Sequence, residues 1–147
     1  MIKELEVQKR ITINAAPEEV WKAITDPEIV KKYFFGAEVI TDWKVGSPLI
    51  FQGELEGKPY RDKGTILAVE PERMLQYNYW SGFTGLEDSP ENYSLVTYRL
   101  IPEDHCTLLI LTQVGFASEE AKEHAVGGWE MVLTNMKKLL EESSDVL

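Results

Sequence analysis

The sequence has one cysteine, Cys106, and two histidines among its 147 residues. A single thiol excludes an internal disulfide, a CxxC pair and a cysteine-rich zinc site. His105 falls in a predicted turn and His124 on a predicted helix, where both are expected to be exposed. The sequence contains no HExxH, no GxSxG and no glycine-rich phosphate loop. These absences predict a protein with no cofactor, no metal site and no catalytic residues that can be recognised from sequence.

Positive charge is also scarce. Lysine and arginine number 15 against 25 aspartates and glutamates, which gives a formal net charge of -10. The cations form no cluster, and an acidic surface repels phosphate backbones and anionic lipids. Neither nucleic acid nor a membrane is therefore expected as a partner. The N-terminal MIKELEVQKR has no apolar run suited to a signal peptide or a membrane span, so the expected location is cytoplasmic.

In other respects the amino-acid composition is typical of a globular protein, and the length predicts one domain covering residues 1–147. Hydrophobic residues make up 44% of the chain, and a chain of this length buries roughly two thirds of its unfolded surface. No internal repeat, low-complexity tract or long linker interrupts it. A single core is therefore expected.

Hydrophobic periodicity predicts one strand, two short helices, six strands and one long helix. Pro17 and Pro27 each suit the first turn of a helix, with a break after Thr25. Apolar residues at steps of three and four predict the long helix over residues 118–142. Alternation and turn residues predict strands at 5–13, 37–41, 48–54, 60–69, 74–80, 93–101 and 107–114.

Short turns between consecutive strands predict an antiparallel sheet, so the fold class is α+β. A twisted seven-stranded sheet curves around the long helix, and the two short helices close one end. One helix does not fill the concavity of such a sheet. The space left over is either packed by bulky side chains or remains a cavity.

Several segments resemble the family named for activators of the heat-shock protein 90 ATPase. They are APEEVW at 16–21, TDPE at 25–28, the turn at Gly46, EPERM at 70–74, and Gly128-Trp129 with Leu133 and Met136. The resemblance implies the START-like (SRPBCC, birch-pollen-allergen-like) superfamily with its helix-grip fold. That fold carries ligand carriers, cyclases and co-chaperone domains, so a role in the stress response is one implication.

Strand alternation selects candidates for the concave interior, and a one-residue register error would turn each strand's set outward. The plain interpretation is a packed core. The sharper one is a ligand pocket with apolar walls and a few polar groups, in which Arg99 clamps a carboxylate or ends its strand in solvent. The candidate ligand-binding residues are Leu49, Phe51, Tyr60, Leu75, Tyr77, Tyr79, Tyr93, Leu95, Thr97, Arg99, Leu109, Leu111, Gln113, Trp129, Leu133 and Met136.

Two glycine-containing segments border this interior. Residues 81–90 form the longest irregular loop, and Phe83 and Leu86 flanked by glycines suit either a mobile lid or a segment folded onto the sheet. Gly127-Gly128 lies inside the long helix, where each glycine costs about 1 kcal/mol relative to alanine. That cost indicates close approach of another element or room for a ligand, and close packing is favoured.

Three functions follow, in order of preference. The first is a non-enzymatic domain that binds a small apolar or aromatic molecule between the sheet and the long helix. The second, implied by the resemblance, is a protein-interaction module related to co-chaperones. The third is a cyclase- or hydrolase-like enzyme, which needs an interior acid or base that the predicted set does not supply. Outward-facing Leu108, Ile110 and Val114 suit a homodimer or packing under a loop, so the chain is expected to be a monomer or homodimer.

Overall fold

The computed structural model describes residues 1–145, and their side chains except those of residues 55 and 143–145. All of the predicted elements are present in the predicted order. The helices are α1 (Pro17–Thr25), α2 (Pro27–Tyr33) and α3 (Glu119–Asp145). The strands are β1 (Ile2–Ile13), β2 (Glu38–Ile40), β3 (Pro48–Leu55), β4 (Lys58–Glu70), β5 (Met74–Tyr79), β6 (Ser94–Glu103) and β7 (Cys106–Phe116).

The seven strands form one antiparallel sheet in the order β1-β7-β6-β5-β4-β3-β2. The chain runs through it as a meander from β2 to β7, and the N-terminal strand then adds beside β7. Helix α3 packs mainly against β1, at one end of this order, and also contacts β7, α1 and α2. The predicted helix-grip architecture is therefore confirmed.

The corner between the two short helices is built around Asp26. Its backbone N–H donates to the carbonyl of Lys22 and ends α1. Its side chain accepts a hydrogen bond of 2.9 Å from the backbone N–H of Glu28 and caps α2. Pro27 follows at the first position of α2, where its missing N–H costs nothing. One residue thus ends one helix and starts the next, and the chain turns across the end of the sheet.

The alternation of β1 is interrupted by Lys9, and the structure gives the reason. The Lys9 ammonium reaches α3 and pairs with the carboxylate of Glu130 at 2.7 Å. On the same strand Val7 and Ile13 are buried against the core. The cation therefore occupies an interior-face position at the sheet edge, where its long stem carries the charge to the helix.

The core lies between the concave face of the sheet and the three helices. Its largest fully buried members come from both layers: Ile13, Val20, Leu49, Ile66, Leu75, Val96, Leu109, Leu111, Val132 and Met136.

Through residue 145, no helix is long and apolar enough to cross a membrane.

Candidate functional site

Most of the residues predicted to face the interior do so. Tyr79 is half-buried against the core and Tyr60 is half-buried beside it. The others that are buried in the predicted interior are Leu49, Phe51, Leu75, Tyr77, Leu109, Leu111, Gln113, Trp129, Leu133 and Met136. Residues of β3, β5, β7 and α3 thus form one surface, as alternation predicted.

The prediction for β6 is wrong by one residue. Val96 lies opposite both Tyr77 and Gln113, and residues opposite each other in a sheet share a face, so Val96 and Tyr98 point inward. Strand β6 has apolar residues on both faces, so alternation alone did not identify the buried one. The carboxylate clamp predicted for Arg99 is excluded, because the Arg99 side chain is exposed on the convex face of the sheet. The four residues assigned to the wrong face are Tyr93, Leu95, Thr97 and Arg99.

Two of these four have other roles. Thr97 is only 5% exposed because it lies in the middle of the convex face, where its hydroxyl accepts a hydrogen bond of 3.2 Å from the Gln76 amide. The Tyr93 hydroxyl donates to the carboxylate of Asp88 at 2.6 Å. Asp88 also pairs with Lys63, so these contacts fix the loop before β6 to the sheet.

The space predicted between sheet and helices is closed in this conformation. A void lined by residues of the sheet and of the short helices has a volume of about 10 Å³, enough for one water at most. Its walls are the side chains of Ile24, Val30, Tyr33, Phe34, Val39, Trp43, Phe51, Leu75, Tyr77 and Tyr98. Aromatic rings provide much of this wall, so this part of the concave groove is mainly apolar and filled by its own side chains.

Phe34 fills the part of the groove between β3 and α3. Its ring stacks on Phe51 with centroids 5.6 Å apart and planes 22° apart. Its ring forms a T-shaped pair with that of Trp129, with centroids 5.9 Å apart and planes at 87°. Phe34 follows α2 directly and is only half-buried. A single side chain at a helix end thus lies between Phe51 on the sheet and Trp129 on α3.

The turn after Phe34 has a strained backbone. Phe35 has φ of +53° and Gly36 has φ of +71°, both in the left-handed region. Glycine adopts this region freely, whereas phenylalanine does so at a cost. The turn directs Phe34 into the groove and leaves Phe35 48% exposed. The chain therefore accepts strain where it places the ring that fills the groove.

A polar network fixes the side chain of Trp129, which lies across the Phe34 ring from Phe51. The indole N–H of Trp129 donates to the Gln113 carbonyl at 2.8 Å. The Gln113 amide in turn donates to the Ser94 hydroxyl at 3.1 Å. Gln113 is 8% exposed, so both of its hydrogen bonds lie inside the protein. Gln113, a polar member of the predicted set, thus orients the Trp129 side chain.

A buried carboxylate on the same face was not predicted. Asp62 is 7% exposed and lies directly opposite Phe51 in the β3–β4 pair. The Tyr79 hydroxyl donates a short hydrogen bond to its Oδ2 atom, while its Oδ1 atom has no hydrogen-bond partner among residues 1–145. None of the ion pairs among the described residues includes Asp62. Among the described side chains, this acid of the concave face is therefore in no ion pair with a cation.

Burial raises the pKa of Asp62 above its ordinary value, and the Tyr79 hydroxyl, which donates to it, and the nearby Ser81 hydroxyl offset part of that rise. Burial likewise raises the pKa of Tyr79 well above its ordinary value, and the adjacent Asp62 charge adds to it. Tyr79 therefore stays protonated and acts as a donor. Alternation offered a signal for Asp62, because Tyr60, which was assigned inward, lies two residues before it on β4.

The loop over residues 81–90 borders this acid. Two short 3-10 turns, Gly82–Thr84 and Pro90–Asn92, give it structure. Phe83 is 63% exposed, and its ring lies 6.1 Å from that of Tyr60. The loop thus partly folds back on the sheet beside Asp62, and its motion as a lid stays a prediction.

The glycine pair in α3 is not a site of close packing, contrary to the favoured interpretation. A Cβ atom added at Gly127 or at Gly128 would meet no atom within 4 Å outside the helix itself. Open space therefore lies beside the α3 turn that carries Trp129.

The two histidines are exposed as expected, and no group of residues in the described part of the chain has the arrangement of a metal site.

The site thus combines an aromatic floor, a ring that stacks on Phe51 in it, and one carboxylate with a tyrosine hydroxyl. Such a set can stack on a planar guest, accept a hydrogen bond from it, or exchange a proton with it. Nothing in it resembles a nucleophile paired with a base.

Comparison with known proteins identifies several relatives. The solution structure of ChR145 from Cytophaga hutchinsonii is 41% identical, over 99% of each chain, with a TM-score of 0.82. The crystal structure of CalU16 from Micromonospora echinospora is 30% identical, over 92% of this chain and 75% of that one, with a TM-score of 0.73. The Aha1 dimer from Colwellia psychrerythraea is 18% identical, over 93% and 96%, with a TM-score of 0.74, which shows the shared fold alone.

No curated protein gives a significant match to the sequence. The profile of one family, described as activator of Hsp90 ATPase homolog 1-like protein, matches residues 14–141. That range runs from the end of β1 through most of α3 and includes every groove residue described above. The resemblance noted in the sequence is thereby confirmed, and the chain belongs to the activator of Hsp90 ATPase homolog 1-like family.

Proposed function

We propose that this protein binds a small apolar or aromatic molecule in the concave groove, without changing it chemically, when the Phe34 ring moves aside. The family is one whose fold suits ligand binding. The observation that carries the proposal is the position of Phe34, held between Phe51 and Trp129 at the end of a short helix. A planar guest fits where that ring now stacks.

The energetics of this exchange are moderate. Each aromatic contact contributes about 0.5–1.5 kcal/mol, so displacing the Phe34 ring from Phe51 and Trp129 costs about 1–3 kcal/mol. The open form is then populated on the order of 1–10% in the free protein. A guest ring that stacks on Phe51 and meets Trp129 regains those contacts, so apolar ligands of one or two rings bind with only a modest loss of affinity.

A titration with a neutral probe tests this function. We expect 1-naphthalenemethanol to bind with one-to-one saturation and to shift the NMR signals of the Trp129 indole N–H and the Phe51 ring. Native mass spectrometry of protein purified from its own host, followed by denaturation, then identifies any molecule it retains. Binding that does not saturate, or shifts confined to the convex face, would overturn the proposal.

A second candidate is an enzyme that moves a proton in the same groove. The observation that favours it is Asp62, the interior carboxylate that the predicted set did not supply, hydrogen-bonded to Tyr79. An acid with a raised pKa is suited to donating a proton to a bound molecule. A retained molecule recovered unchanged after prolonged incubation with the protein would count against this role.

A protein partner is the remaining alternative, because the matched family is described by activation of the Hsp90 ATPase. The acidic surface is compatible with a basic partner surface. Purification from cell extract that recovers no chaperone would contradict it. Homodimer formation and a cytoplasmic location likewise stay predictions.

A further inference from the structure

The carboxylate of Asp62 is the polar feature of the groove that the packing leaves unexplained. A carboxylate that is 93% buried needs a cation or a full set of hydrogen bonds to offset its lost hydration. Asp62 accepts a hydrogen bond on Oδ2 from the Tyr79 hydroxyl, and the Ser81 hydroxyl also acts on its carboxyl group. Its Oδ1 atom has no hydrogen-bond partner within residues 1–145. A donor supplied from outside the chain would complete the arrangement.

We infer that the ligand carries a protonated amine that pairs with Asp62 while its apolar body stacks on Phe51. This inference rests on the function proposed above and names the chemical class of the ligand. Asp62 and Phe51 are opposite each other on adjacent strands, so their Cβ atoms lie about 5 Å apart. A ring on Phe51 therefore reaches Oδ1 through an arm of about one or two carbons.

The surroundings of Asp62 favour a cation over a neutral donor. The ring of Tyr79 adjoins it, that of Tyr60 lies two residues away on the same face, and Phe83 stands 6.1 Å from Tyr60. Aromatic faces attract an ammonium group, and more strongly when water is excluded. The flanking cations Arg61 and Lys63 point to the convex face, as strand alternation requires, and Lys63 pairs with Asp88. None of the ion pairs found among the described side chains joins a cation to Asp62.

Tyr79 acts as a positioning residue in this arrangement. By donating to Oδ2 it fixes the carboxylate plane and leaves Oδ1 for the ligand. Burial raises the Asp62 pKa, so an ammonium ligand, which stabilises the charged form, lowers that pKa when it binds. Amine binding therefore has a readout that a purely structural carboxylate would not give.

The test compares two probes that differ in one group. The amine 1-naphthalenemethylamine and the alcohol 1-naphthalenemethanol have the same ring and the same arm length, and the amine is protonated near neutral pH. In the wild-type protein we expect the amine to bind at least about tenfold more tightly, as for a charge-assisted hydrogen bond. We also expect amine saturation to lower the Asp62 pKa, followed by the carboxyl carbon signal in NMR.

The variant Asp62→Asn keeps the shape and removes the charge. We expect it to lose amine affinity by at least about tenfold and to keep alcohol affinity within about twofold. Asp104→Asn, which removes the same charge from an exposed turn, is the matched control and leaves both affinities unchanged. If Asp62→Asn does not fold, the pH dependence of the wild-type protein tests the inference instead. Its preference for the amine over the alcohol must disappear as the pH falls and Asp62 becomes protonated.

The outcomes separate the two proposals. Saturable binding of the alcohol with no preference for the amine would overturn the amine inference and leave ligand binding in place. Failure of both probes to bind would overturn the proposed function itself. An amine preference that persists in Asp62→Asn would also overturn the inference, because the charge responsible would then lie elsewhere.

Discussion

Replacing Phe34 by alanine tests whether its ring closes a binding groove. The ring contacts Phe51 on the sheet and Trp129 on α3, and it is half-buried at the end of α2. Removing it leaves space where the structure now holds a void of only about 10 Å³. The variant is therefore expected to lose stability and to gain affinity for apolar guests.

Both magnitudes follow from the contacts. Truncating a fully buried phenylalanine costs about 3–5 kcal/mol, so a half-buried one costs about 2 kcal/mol. In a domain of this size that lowers the melting temperature by about 4–8 °C. The cost of about 1–3 kcal/mol for displacing the ring disappears, so affinity for 1-naphthalenemethanol rises by about 5–150-fold.

Calorimetry of unfolding and of probe binding measures the two effects on the same protein samples. Phe35→Ala is the matched control, because its ring is adjacent in sequence but 48% exposed, and it should change the free energy of unfolding by less than about 1 kcal/mol. A Phe34→Ala protein that is destabilised but binds the probe no more tightly than the wild type would refute the groove. So would a Phe35→Ala protein that gains equal affinity.

Three further predictions concern the same region. Gln113→Leu leaves the buried Trp129 N–H without its acceptor and should cost about 1–3 kcal/mol of unfolding free energy, measured by urea denaturation. Gly127→Ala and Gly128→Ala meet no neighbouring atom and should each stabilise the protein by about 0.5–1 kcal/mol in the same assay. Asp62→Asn should raise stability near neutral pH, because the folded state raises the pKa of this acid; its advantage should vanish as the pH falls towards the ordinary value of 3.8.

The sign of the pH effect follows from proton linkage. A carboxyl whose pKa is raised by folding binds its proton more tightly in the folded state, so its contribution is fully present at low pH. That contribution is lost as the pH rises through the folded-state pKa. Asp88 and Glu141 have pKa values lowered by their lysine partners and act in the opposite direction. Their contributions are the same in both proteins, so they cancel when the unfolding free energy of the wild type is subtracted from that of Asp62→Asn. If this difference does not change with pH, folding does not raise the Asp62 pKa.

The fold was predictable because its local signals agree. Pro17, Asp26 and Pro27 determine the corner between α1 and α2 through capping and missing donors, independently of the rest of the chain. Strand alternation gave the correct face wherever one face is apolar, as for Leu75 and Tyr77 in β5. Consistency between local preference and tertiary packing is what makes such predictions succeed.

The interior was less predictable because it depends on packing. In β6, Leu95 and Val96 are equally apolar, and only pairing with β5 and β7 determines which of them is buried. The filling of the groove depends on a left-handed turn at Phe35, for which the sequence gives no more than the following Gly36. Asp62 was not predicted for a different reason: it is an acid at an interior position of β4, where apolar and aromatic residues are expected.

The location of the site follows from how a single long helix covers a seven-stranded sheet. Helix α3 packs mainly against β1, at one end of the strand order, while β3, β4 and β5 lie towards the other end. Over β3 the bridge to α3 is made by one ring, that of Phe34, and beside it lies an acid with an unpaired oxygen. A ring at the end of a seven-residue helix is easier to displace than a 27-residue helix, because far fewer contacts break when it moves. The least firmly covered part of the concave face is therefore also the part that contains its uncompensated charge, which is why binding and polarity are expected at the same place.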